Sequence, residues 1–66
     1  MIAAPTAIEA SPEALAERIA DTVRLRQELR AANAPRELLE LNRLELVGLH
    51  RRFAEALVAR HLRPAA

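Results

Sequence analysis

The chain reads as all-α: an antiparallel two-helix hairpin, expected to dimerise into a four-helix bundle. Three observations carry this. Ala, Leu, Glu and Arg dominate, with one Gly and one aromatic residue, Phe53, a composition that favours helix over strand. Two long stretches of helical periodicity flank a single breaker, Asn33-Ala34-Pro35. The second stretch is apolar on two sides, more surface than one neighbouring helix can cover.

In chain order, residues 1–10 lack a usable period and read as a flexible N-terminal tail, leaving 11–66 as the helical hairpin. Ser11-Pro12-Glu13 is a helix start: a Ser N-cap, Pro where its missing N–H is not needed, and an acid in the first turn. Helix 1 is expected over about 12–32. In the turn, 33–35, Asn tolerates the left-handed conformation that closes a helix, and Pro35 disfavours the helical region for Ala34. Pro35 is expected at the first helical position of helix 2, over about 35–62, before Arg63-Pro64 ends it. Gly48 inside that helix costs roughly 1 kcal/mol relative to Ala; it is either a close crossing or simply tolerated. So short a connection between long helices makes them antiparallel.

The charges agree. Residues 1–21 carry four acids and one Arg, a balance of −3, and residues 22–36 carry four Arg and one Glu, +3. Helix 2 starts with Glu37, Glu40 and Glu45 and ends with Arg51, Arg52, Arg60 and Arg63. Each helix therefore complements its own dipole, and antiparallel packing sets acidic ends beside basic ones. Pairs such as Arg36–Glu40 and Arg51–Glu55 have the i,i+4 spacing of surface ion pairs. Nothing in the pattern signals a carboxyl with a shifted pKa.

At about 100° per residue, helix 1 gathers Leu15, Ile19, Val23, Leu25 and Leu29 into one face, with Thr22 near its centre and Arg18 and Arg26 at or within its edges. On helix 2 one stripe holds Leu38, Leu39, Leu46, Leu49, Phe53, Ala56 and Leu57. A heptad reading places Leu39, Leu46, Phe53 and Arg60 at a, and Asn42, Leu49, Ala56 and Arg63 at d. The expected intra-hairpin core is thus Leu15, Ile19, Val23, Leu29, Leu39, Leu46, Leu49, Phe53 and Leu57. Asn42 falls among these Leu residues, either as a register-fixing polar contact or as a hydrated residue near the helix start.

A second stripe, Leu44, Val47, Val58 and Leu62, flanked by Leu41 and Ala59, lies on the other side of helix 2. Hydrophobic residues make up 52% of 66 residues, which argues against disorder. Yet a chain of this length buries only about 60% of its unfolded surface, and with no Cys it has no disulfide to compensate. The second stripe is therefore the expected interface, most simply with a second copy in a two-fold dimer that places helix 2 centrally.

Chemistry is sparse. Length argues against most enzyme folds. His50 and His61 are eleven residues apart, about 16 Å along a helix, and no His-x-x-x-His or Glu-x-x-His pair exists. Ser11 is the only Ser and is used as a cap, and Cys and Lys are absent, so nucleophile–base pairs and Schiff bases are not available. One Gly cannot build a phosphate loop. No cofactor or metal is expected, and no enzymatic activity. The run Leu38-Leu39-Glu40-Leu41-Asn42-Arg43, followed by Glu45-Leu46-Val47, resembles a helix of the all-helical chorismate mutases, which are intertwined dimers. Those enzymes use a Lys, several Arg and further helices around a dianion; this sequence has no Lys, so the resemblance implies no activity.

No basic n-region precedes residues 1–8 and no 18-residue apolar run occurs, so a cytoplasmic chain with no membrane partner is expected. The function expected is a non-enzymatic protein-interaction module: a small adaptor, regulator or assembly subunit, homodimeric, with a further protein partner. The alternative is a small dimeric nucleic-acid-binding regulator using Arg26, Arg30, Arg36, Arg51, Arg52 and Arg60. Against that stand a net charge of +1 and the lack of stacking aromatics.

Overall fold

The computed structural model describes residues 11–62, so the expected tail over 1–10 and Arg63 lie outside the described residues. Two helices, α1 (Pro12–Ala31) and α2 (Arg36–His61), pack against each other as a hairpin, and no strand occurs among the described residues. Ser11 caps α1: its hydroxyl accepts from the Ala14 amide at 3.1 Å, satisfying one of the amides a helix start leaves without an intrahelical partner.

α1 ends through a Schellman arrangement. The Ala34 amide donates to the Leu29 carbonyl at 2.9 Å and the Asn33 amide to the Arg30 carbonyl at 3.1 Å. This requires a left-handed residue, and Asn33 supplies it with φ of 54°. Pro35 stands one position earlier than the sequence suggests. With ψ of 149° it is extended and serves as N-cap, and α2 begins at Arg36. Its carbonyl takes the first amides of α2, from Leu38 at 3.0 Å and Leu39 at 3.4 Å. No side chain caps α2; Glu37 faces the dipole instead.

The seam is narrow. Leu15 and Leu49 are buried, while Ile19, Leu29, Leu39, Leu46, Phe53, Ala56 and Leu57 are half-buried around them. Val23, expected in the core, is 39% exposed, and Thr22 is buried in its place. The reason is angular: at about 100° per residue, Thr22 lies about 20° from the direction of Leu15, and Val23 about 80°. A single neighbouring helix covers only the first. Leu25 and Leu38 also lie at the margins, 46% and 45% exposed.

Candidate interaction surface

Polar groups inside the seam set how the two helices meet, and so which face of α2 is left outward. Asn42 is 5% exposed. Its Nδ2 donates to the Thr22 carbonyl at 3.1 Å, and its Oδ1 accepts from Arg26 Nη1 at 3.2 Å. The same Nη1 donates to the Leu39 carbonyl at 3.1 Å. Thr22 Oγ1 donates back to the Arg18 carbonyl at 2.7 Å, with Glu45 Oε1 at 3.5 Å. Among the described residues no buried side-chain polar atom lacks a partner, so the cluster avoids the cost of an orphaned buried group. Arg26, expected to cover apolar surface with its stem, also closes this network with its head.

At the open end of the hairpin, Arg60 grips Glu13 with both terminal nitrogens, at 2.8 and 2.9 Å. Those hydrogen bonds hold the Glu13 carboxyl down at about 2, well below the usual carboxylate range. No pattern in the sequence signals this shift, because it depends on which α2 residue lies across from Glu13. Glu40 is likewise lowered, first by hydrogen bonds from Arg43 at i+3; Arg36, the expected i+4 partner, acts only as a nearby charge. Arg24 pairs with Asp21 at 2.7 Å. Among the described residues Arg51 and Glu55 form no ion pair within the hairpin.

With Asn42, Leu49 and Phe53 turned into the seam, the opposite side of α2 faces outward. There Leu41 is 63%, Leu44 52%, Val47 48%, Val58 53% and Leu62 74% exposed. Within this surface Gly48 is open: among the described residues a Cβ added there would meet nothing within 4 Å, so α1 does not cross closely at that point. Beside it, Leu25, Leu29, Leu38, Leu41, Asn42 and Glu45 line a shallow groove of about 270 Å³ between the helices.

The arginines named for the nucleic-acid reading divide into two sets. Arg26 and Arg60 are engaged within the hairpin, whereas Arg30, Arg36, Arg51 and Arg52 are exposed. His50 and His61 are both exposed. Among the described residues no group of three or more His, Cys, Asp or Glu is placed to hold a metal ion. No helix among them is long and apolar enough to cross a membrane. Compared with known protein families, curated proteins and solved structures, the chain matches none.

Proposed function

We propose that this chain is a cytoplasmic, non-enzymatic helical interaction module, a small adaptor, regulator or assembly subunit, that works by burying the outer face of α2 against another chain. The simplest assembly is a homodimeric four-helix bundle with α2 at its centre. One observation carries the reading: five large aliphatic side chains, from Leu41 to Leu62, lie 48–74% exposed on the side of α2 that α1 does not reach. Fully burying one such side chain from water is worth about 1.5–3 kcal/mol, so covering the exposed part of these five supplies several kcal/mol per chain before the entropic cost of association. The seam inside the hairpin, with two hydrophobic residues buried among the described ones, leaves stability to be gained from a partner.

The test is the double variant Leu44→Glu/Val58→Glu. It is expected to be monomeric and less helical than the unmodified chain, with a helicity that no longer depends on concentration. An unchanged oligomeric mass and melting temperature would show that this face is no interface. The nucleic-acid reading is separated in the same preparation. Bound DNA or RNA would raise the 260/280 nm ratio, conspicuously so in a chain with no Trp or Tyr, and would dissociate steeply with salt.

A further inference from the structure

We infer that the partner which fits the outer face of α2 is a second copy of this chain, laid antiparallel with its two-fold axis between residues 51 and 52. This rests on the reading of that face as an interface between copies, and adds their direction and register.

The outward positions 41, 44, 48, 51, 55, 58 and 62 of α2 follow alternating steps of three and four residues. That is a heptad seam of its own, distinct from the one that faces α1. Reversed end to end, the seam falls on itself. Leu41 then lies opposite Leu62 of the partner subunit, and Leu44 opposite Val58 of the partner subunit, so large apolar groups meet at both ends. In the middle, Gly48 lies opposite Glu55 of the partner subunit. Gly48 is the one seam position with no side chain, and the space around it is empty within the hairpin. A long side chain from the facing helix fits that gap.

Charge selects the direction. Arg51 and Glu55 are exposed and have no ion-pair partner among the described residues. In the antiparallel register, Arg51 is offset from Glu55 of the partner subunit by three residues, about 4.5 Å along the axis. A guanidinium spans that easily, and symmetry makes the pair twice. Position 51 meets its own copy in either direction, at the two-fold axis of the antiparallel dimer as in a parallel one. The directions differ at the other two central positions, where a parallel dimer would set Glu55 on Glu55 and Gly48 on Gly48 with a void between. The helix as a whole points the same way. Residues 36–48 carry three acids and two Arg, whereas residues 49–61 carry three Arg and one Glu, so antiparallel halves attract and the helix dipoles oppose.

The chain has no Cys, so single cysteines report the register directly. Leu44→Cys and Val58→Cys proteins are mixed in equal amounts at micromolar strength, oxidised mildly, and weighed by mass spectrometry. The expected product is the mixed Leu44→Cys/Val58→Cys disulfide, in about tenfold excess over either self-linked species, since only facing pairs reach disulfide distance. Self-linked species in excess would overturn the antiparallel register while leaving the outer face an interface. A monomeric mixture with no cross-link, from proteins as helical as the parent chain, would overturn the second copy as occupant. As a second measure, Arg51→Glu or Glu55→Arg alone is expected to weaken dimerisation about tenfold, and the combined reversal to restore it. Equal weakening by all three variants would overturn the Arg51–Glu55 pairing.

Discussion

Arg26 Nη1 sits 3.2 Å from Asn42 Oδ1 across the seam, and the Asn42 amide in turn holds the Thr22 carbonyl at 3.1 Å. A polar layer thus crosses a core of otherwise apolar contacts. Because each of its groups has a partner, it costs little when intact and much when broken. Sliding α2 by one turn would strand all three residues, so the layer fixes the helix register and, with it, the outward position of Leu44 and Val58.

Asn42→Ala is therefore expected to destabilise the hairpin by about 1–3 kcal/mol, read from urea or thermal unfolding. Replacing both partners, Arg26→Met with Asn42→Leu, is expected to recover most of that loss, because no polar group is then left stranded. A double variant as unstable as the single one would show that the layer does not act as a unit.

Leu49 is the most enclosed side chain, 1% exposed. Leu49→Ala should cost about 2–5 kcal/mol, enough to unfold a chain with so small a core. Leu62→Ala, at a position 74% exposed, should leave the hairpin's own helicity unchanged in a monomeric Leu44→Glu/Val58→Glu background, as circular dichroism would show.

At the turn, Asn33 holds a φ of 54°. Asn33→Gly should be neutral or stabilising, and Asn33→Val should cost about 1–2 kcal/mol, since a β-branched residue resists the left-handed region. Equal melting temperatures for the two variants would contradict the role given to this residue.

Acid should loosen the open end of the hairpin. The folded Glu13 carboxyl is lowered from 4.5 to about 2 by Arg60, so its contribution is complete above pH 4.5 and declines as pH falls towards 2. Both side chains are largely exposed, at 51% and 71%, so salt screens the effect. Glu13→Gln should flatten the melting temperature over that pH range, measured at low ionic strength. A profile unchanged by the substitution would show that Glu13 is not the group responsible.

What the sequence reveals and what it hides follows the range of the interactions involved. Ser11-Pro12 and Asn33 act within four or five residues of themselves, so the first cap and the helix-closing residue are legible without a fold. The heptad through Leu39, Leu46, Leu49 and Phe53 is legible too, because one helix face must meet one neighbour. Val23 and Thr22 are not separable in this way: hydrophobicity favours Val, whereas the two point about 100° apart and only the crossing of two helices fixes which one faces the seam. The burial of Asn42, its bond to Arg26 and the Glu13–Arg60 pair all depend on the same register. The outer face of α2 was visible as a second apolar stripe; its palindromic spacing becomes meaningful only once Asn42 and Leu49 are turned into the seam.

The most direct measurement is sedimentation equilibrium on the unmodified chain at micromolar strength. An assembly of twice the 7.3 kDa chain mass, dissociating with loss of helicity as it is diluted, is the result expected if the outer side of α2 is an interface between copies. A fully helical species of single-chain mass, stable to dilution and with nothing bound, would contradict it.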